Sequence, residues 1–307
     1  MTKRISIGII GMGWVGSSVA MSILHTGLAH ELLLNDIRME LAEGEAMDLA
    51  HGSSFYPAAE VRSASVKELR GTDAIVVAAG RGSVPGQTRL DLLQENARIV
   101  EGLATKLHNY KGLVIMVTNP VDVLTYVFTK VSGLPPERII GTGTMLDTAR
   151  LRQVLGRELD VDARSVHAQV IGEHGDSEVV LWSGAWVGGI PLRQWPSWDQ
   201  ERERAIADEV RNAAYEIIRR KGATNHAIGL VTSSLLRCLL RDERRIVTVS
   251  RVQEGALGIT NVALSLPTIV GAAGAREVLT PALDPSEQTS LAHSVSVLRR
   301  AAESIKM

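Results

Sequence analysis

At 307 residues the chain is long enough for a substantial core and for two domains. A formal net charge of −1 leaves no electrostatic footprint for nucleic acid or an anionic membrane, and 45% hydrophobic with 22% charged residues is neither a disordered nor a membrane-embedded composition. Cys238 is the single cysteine, which excludes a disulfide framework and a cysteine-based metal site and fits a reducing compartment. No apolar run approaches the ~20 residues that span a bilayer, and glycines interrupt the apolar start of the chain, so a soluble cytoplasmic protein is expected.

Residues 4–10, RISIGII, read as a β-strand and run directly into Gly11-Met12-Gly13-Trp14-Val15-Gly16. The following segment carries Val19, Ile23 and Leu24 at helical spacing and stops at Gly27. Strand, G-x-G-x-x-G and helix together form a dinucleotide-binding unit. The first glycine permits the tight turn, the second lets a pyrophosphate approach the backbone, and the third lets helix pack on strand. The helix N-terminus then faces the phosphates. The next strand, ELLLND, ends in Asp36, about 20 residues past the glycines, where a carboxylate accepts from a ribose diol and repels a 2′-phosphate. NAD is therefore expected over NADP, although Arg38 stands close by.

EGEAMDLAHG then predicts a helix, and Ala74–Ala79 a buried parallel strand ending at Gly80. The loop RGSVPGQTR holds Arg81 and Arg89 near its two ends. Residues 90–107 carry a helical apolar stripe, and 113–117 form a strand closed by Thr118-Asn119-Pro120. This βαβ rhythm predicts a Rossmann-type α/β fold, a doubly wound parallel sheet with ligand at the strands' C-terminal ends. After about residue 142 the rhythm changes. Val179–Val187 and Ile246–Val252 predict strands of a more antiparallel kind, and WPSWDQ leads into a long helix. An amphipathic helix closes the chain from about Ser286 to Ile305. The division expected is a nucleotide-binding domain over 1–141 and a second α+β domain over 142–307, packed together without a flexible linker.

The chemistry concentrates in 141–175. Asp147 and Arg150 are three residues apart and share one face of a helix. His174 lies in the turn IGEHGD. A carboxylate beside a histidine fixes its tautomer and stabilises the imidazolium, making it a proton donor and acceptor. An arginine grips a substrate carboxylate through two parallel hydrogen bonds. Taken singly, each of the three is also an ordinary helix-start, surface or loop residue.

Several long stretches, GMGWVG, LLND, EAMDLAHG, VPGQTRLDLLQEN, VTNPVDVLTY, IGTGTMLDTARLR, IGEHGDSE, NAAYEIIRRKGAT and VTVS, make the chain resemble the L-lactate/malate dehydrogenase family along essentially its whole length, nearest to its bacterial L-lactate branch. The resemblance implies His174 as proton donor and acceptor, Asp147 as its orienting partner, and Arg150 as the clamp on the substrate carboxylate. It implies that Arg89 polarises the reacting carbonyl from a loop, with Gly82–Gly86 closing as a lid. Asn119 would hydrogen-bond the substrate oxygen, and Thr224 would line the pocket. The NAD site implied comprises Gly11, Met12, Gly13, Val15, Gly16, Asp36, Ala79, Gly80, Arg81, Thr118, Asn119 and Thr142, with no metal. Arg152 and His167 match an inter-subunit site for fructose 1,6-bisphosphate in activated bacterial members, and a homo-oligomer, dimer or tetramer, is implied.

One position departs from the family. Where the lactate enzymes resemble each other in having Gln and the malate enzymes in having Arg, this chain has Ser83. Serine supplies no cation for a second carboxylate and leaves room for a bulkier side chain. Ala213-Ala214 and Lys221-Gly222-Ala223-Thr224 match the lactate branch better. Pyruvate/lactate is favoured, against a broader or branched 2-hydroxy acid range and against malate through Arg81. A non-catalytic NAD-binding protein would keep the glycine loop and Asp36 but lose the proton donor or the carboxylate clamp; here His174, Asp147, Arg150 and Arg89 are all present.

Overall fold

The computed structural model describes residues 4–82, 88–196 and 198–305. The chain opens with β1 (Ser6–Ile10), α1 (Trp14–His25), β2 (Glu31–Asn35), α2 (Met39–His51), β3 (Glu60–Ser63), the short α3 (Val66–Leu69) and β4 (Ala74–Val77). It continues through α4 (Arg89–Lys106), β5 (Leu113–Met116), α5 (Val121–Ser132), β6 (Ile139–Gly141) and α6 (Met145–Leu159). Five two-residue strands follow: β7 (Val166–His167), β8 (Val170–Ile171), β9 (Val179–Val180), β10 (Trp186–Val187) and β11 (Ile190–Pro191). The chain ends with α7 (Gln200–Lys221), α8 (His226–Leu240), β12 (Arg245–Glu254), β13 (Thr260–Gly271), β14 (Gly274–Val278) and α9 (Pro285–Glu303).

The first six strands pair in parallel in the order β3-β2-β1-β4-β5-β6. Their side chains alternate between two cores, as the two-residue period of a strand requires. Ile75 and Val77 of β4 and Val114 and Met116 of β5 face one core, with Val100 and Leu103 of α4, Leu124 and Phe128 of α5, and Leu291 and Val295 of α9. Val76, Leu113 and Ile115 face the other, with Val19 and Ile23 of α1, Ala42 and Ala46 of α2, and Leu235 and Leu239 of α8. Burial on both faces is why these strands read as continuous apolar runs.

The antiparallel β12, β13 and β14 do not form a separate sheet. β12 joins β6 through the pair Ser250 and Gly141, which extends the parallel sheet to nine strands among the described residues. Helix α8 likewise lies on the first half of the chain, where Asn225 Nδ2 donates to Ser18 Oγ at 2.8 Å and the Thr26 and Ser233 hydroxyls meet at 3.2 Å. A third core, of Leu151, Val154 and Leu155 on α6 with Ile206 and Val210 on α7, is confined to the second half.

The strand expected over Val179–Val187 is corrected. β9 and β10 are separated by a turn at Trp182–Ala185, because Ser183 is held to Glu287 of α9: its backbone N–H donates to Oε1 at 2.9 Å and its hydroxyl to Oε2 at 2.6 Å. The expected strand Ile246–Val252 is present and longer, as β12. Cys238 is buried in α8, and no helix among the described residues is long and apolar enough to cross a membrane.

Candidate active site

The parallel strands end in a row of turns along one edge of the sheet. Gly11 follows β1 at φ +98°, a left-handed conformation open to glycine, and the β-carbon it lacks would lie 2.5 Å from the Ala79 backbone nitrogen. A β-carbon on Gly16 would meet the Gly11 carbonyl at 1.9 Å, so the first turn of α1 can pack on the loop because Gly16 has none. Above Gly13 the space is open, which is the gap a pyrophosphate against the backbone requires. Asp36 sits at the end of β2, where its Oδ2 accepts from the Met12 N–H at 2.8 Å and its Oδ1 from the Arg38 N–H at 2.9 Å. The Arg38 side chain is largely exposed, with Nε 4.0 Å from the carboxylate. These residues fit a dinucleotide at the glycine loop.

Further along the same edge, the turns after β4 and β5 are tied together. Asn96 of α4 is buried. Its Oδ1 accepts from the Arg81 N–H at 2.7 Å, and its Nδ2 donates to the Arg81 carbonyl at 3.2 Å and to the Asn119 carbonyl at 3.0 Å. Thr118 Oγ1 donates to the Ala79 carbonyl at 2.8 Å, and the Thr142 N–H donates to the Met116 carbonyl at 3.0 Å. Val15 is half-buried in the first turn of α1. Asn96 was missed in the sequence because it reads as one polar break in the apolar stripe of α4.

Asp147, Arg150 and His174 come together where α5, α6 and the turn after β8 meet. Asp147, on the first turn of α6, has 3% of its side-chain surface exposed and accepts from both partners. Its Oδ1 takes Arg150 Nη1 at 2.8 Å, and its Oδ2 lies 2.5 Å from His174 Nδ1. The His174 side chain keeps 23% of its surface exposed, so the ring is reachable from solvent. Burial alone would lower the His174 pKa. The Asp147 carboxylate, through charge and hydrogen bond, and Asp122 outweigh burial and the nearby Arg150, giving about 9. Burial would conversely raise Asp147, but the imidazolium and the guanidinium hold it below the usual carboxylate range.

Two buried carboxyls beside this group were not singled out from the sequence. Asp122, on the first turn of α5, accepts the backbone N–H of His174 on Oδ2 at 2.7 Å. Glu178 is pushed well above the usual carboxylate range by burial and by the Asp147 charge, against His174, Arg211 and Arg150. The turn itself is fixed from α9: the Glu173 N–H donates to Ser294 Oγ at 2.8 Å.

The other expected site residues are placed as follows. Asn119 is exposed in the turn between β5 and α5, and its Oδ1 accepts from the Val121 N–H at 3.3 Å. Thr224 is half-buried in the connection between α7 and α8. Arg89 is the first residue of α4, behind the capping pair Thr88 and Asp91, and its side chain lies outside the described residues. Ser83 and the lid segment also lie outside them, apart from Gly82. Arg81 is exposed and paired with Glu95 of α4 at 3.7 Å. Arg152 is half-buried with Nε donating to the Ala168 carbonyl at 3.0 Å, while His167 is exposed on β7.

A glycine loop with a carboxylate at the end of the next strand, combined with a histidine–aspartate pair beside an arginine, fits a dinucleotide-dependent oxidoreductase acting on a carboxylated substrate. Residues 5–141 match the family model for the lactate/malate dehydrogenase NAD binding domain, and residues 144–307 match its alpha/beta C-terminal domain. An L-lactate dehydrogenase of Synechococcus sp. (strain JA-3-3Ab) is 44% identical over 301 residues, covering 97% of this chain and 98% of that one. One from Clostridium perfringens (strain 13 / Type A) is 40% identical over 304 residues, covering 97% and 96%. Among solved structures, the minor L-lactate dehydrogenase from Enterococcus mundtii in its ligands-bound form superposes with a TM-score of 0.96 at 37% identity, covering 99% of each chain. A lactate dehydrogenase from a Medee basin deep-sea metagenome library gives 0.94 at 36% identity, covering 99% of each. The chain belongs to the lactate/malate dehydrogenase family, NAD-dependent oxidoreductases of hydroxy acids.

Proposed function

We propose that the chain reduces pyruvate to L-lactate with NADH and a proton, and catalyses the reverse oxidation. The observation that carries this is the buried Asp147 holding Arg150 and His174 side by side. When bound, NADH supplies the hydride. Arg150, pinned by Asp147, faces the substrate carboxylate and sets its orientation. With Nδ1 engaged by Asp147, His174 gives its Nε2 proton to the carbonyl oxygen and recovers it from the hydroxyl in the reverse direction. Arg89 supplies positive charge to the oxygen as it becomes anionic, Asn119 hydrogen-bonds the same oxygen, and Thr224 lines the pocket. The lid segment 82–86 excludes water on closing.

The choice of pyruvate rests on Ser83 and Arg81. A second carboxylate buried without a partner costs several kcal/mol. Serine cannot pair it, and Arg81 lies 3.7 Å from Glu95, which draws that cation toward α4. Pyruvate should exceed oxaloacetate by at least about tenfold in kcat/KM, since ~1.4 kcal/mol is already that much. NADH oxidation with pyruvate, oxaloacetate and a branched 2-oxo acid in parallel tests this. Ser83→Arg should shrink or reverse the margin, and Arg81→Ala should leave it unchanged. A wild-type preference for oxaloacetate that collapses in Arg81→Ala would make malate the substrate, and a branched acid in the lead would make the range broader.

Cofactor choice rests on Asp36. A 2′-phosphate would meet the carboxylate as a like charge, so NADH should exceed NADPH in kcat/KM and Asp36→Ala should narrow the gap. Equal values in the wild type would contradict it.

The division proposed is 1–141 for nucleotide and 142–307 for substrate. We propose a cytoplasmic homo-oligomer, dimer or tetramer, serving carbohydrate metabolism (glycolysis). Exposed Trp14 and Met21 on α1, Met39 and Met47 on α2 and Leu230 on α8 offer an apolar surface for a second copy. Fructose 1,6-bisphosphate is the proposed activator, at Arg152 and His167. The Arg152 pKa is lowered by burial and by the neighbouring Arg245, a repulsion that a bound anion would relieve.

A further inference from the structure

His174 is held by two carboxyls from two different helices. Asp147 reaches the ring from α6, while Asp122 reaches the main chain from α5. Asp122 is 2% exposed and lies in the first turn of α5, where the helix N-terminus favours negative charge. That turn begins directly after Asn119-Pro120, so one rigid element connects the Asn119 turn to the backbone of the histidine.

The charged surroundings are sparse. Glu173, from the histidine's own turn, opposes ionisation of Asp122, and the positive charge that favours it is the imidazolium. Ser250, fully buried on β12, favours the ionised carboxyl from nearby, although neither its Oγ nor the Asp122 Oδ1 has a hydrogen-bond partner among the described residues. Around the imidazole stand Asp147 and Arg150 of α6 and Asp122 of α5, with Glu178 beyond them and Arg211 of α7 facing Glu178. The proton on His174 and the charge on Asp122 therefore support each other.

We propose that Asp122 is a positioning residue for proton transfer, acting through His174: its carboxylate fixes the backbone of the histidine, and its charge favours the protonated imidazole. This deepens the pyruvate-reduction reading and rests on it. It also separates two roles that Asn can distinguish. In Asp122→Asn the amide oxygen can still accept the His174 N–H, so the anchor survives while the charge is lost.

The test is the pH dependence of pyruvate reduction in Asp122→Asn, with Asp122→Ala beside it. The alkaline fall of kcat/KM should move roughly one unit to lower pH in the Asn variant, the lower end of what a nearby opposite charge produces. Above both midpoints that is a loss of about tenfold, with KM near the wild-type value on the acid side. Asp122→Ala, which loses the anchor too, should be slower at every pH. An Asn variant whose profile superimposes on the wild type would reduce Asp122 to a structural anchor and overturn the proposal.

The imidazole nitrogen-15 shifts of His174, titrated from acid to alkaline pH in the wild type and in Asp122→Asn, give a second test. The midpoint should stand at lower pH in the Asn variant, because the Asp122 charge that favours the imidazolium is gone. Equal midpoints in the two proteins would also overturn the proposal. This readout needs no turnover. A wild type that oxidises NADH with no 2-oxo acid would refute the pyruvate reading alone, leaving the linkage between Asp122 and His174 to the titration.

Discussion

His174→Ala should lower kcat for pyruvate reduction by about 10²- to 10⁴-fold, the range for a positioned acid–base group, with NADH affinity nearly intact. The glycine loop lies between β1 and α1 and Asp36 follows β2, whereas His174 lies in the turn after β8, so the variant removes the proposed proton donor without touching the glycine loop. The fold should survive, because the side chain is partly exposed and its loss opens no sealed cavity. Stopped-flow binding of NADH together with steady-state turnover separates the two effects. Near-normal turnover would mean that another group gives the proton.

Arg150→Lys should lower kcat/KM for pyruvate by about 30- to 150-fold, the equivalent of ~2–3 kcal/mol for charge-assisted hydrogen bonds. Lysine keeps the charge but lacks the planar fork that meets a carboxylate on two parallel bonds. It also loosens the 2.8 Å link to Asp147, whose other oxygen orients His174. The loss should therefore appear in kcat as well as in KM. An effect on KM alone would show that Arg150 binds substrate without ordering the acid–base pair.

The parts legible in the sequence were those written locally. A strand buried on both faces is an apolar run whatever else surrounds it, so β1, β2, β4 and β5 stand out. The glycine loop and Asp36 are separated by one helix and one strand, and their meeting follows from a single βαβ unit. Asp147 and Arg150 share a helical face. The parts that were not legible depend on distant partners. Asp122 is one acid in VDVLTY until the turn bearing His174 folds onto α5, and Ser294 is one serine in α9 until it meets Glu173. The break in Val179–Val187 comes from Glu287, far along the chain. That β12 extends the first sheet rests on the single pair Ser250 and Gly141, which no periodicity encodes.

In the proposed reaction, protonated His174 gives its proton to the substrate. The most direct measurement is the pH dependence of kcat/KM in both directions, pyruvate with NADH and lactate with NAD. The pKa of His174 is raised above that of an ordinary histidine to about 9, so the ring is largely protonated at neutral pH and loses its proton only in the alkaline range. Pyruvate reduction should fall, and lactate oxidation rise, as pH passes through that same value, and both limbs should be absent in His174→Ala. Limbs that persist in His174→Ala, or that fall at unrelated pH values in the two directions, would contradict it.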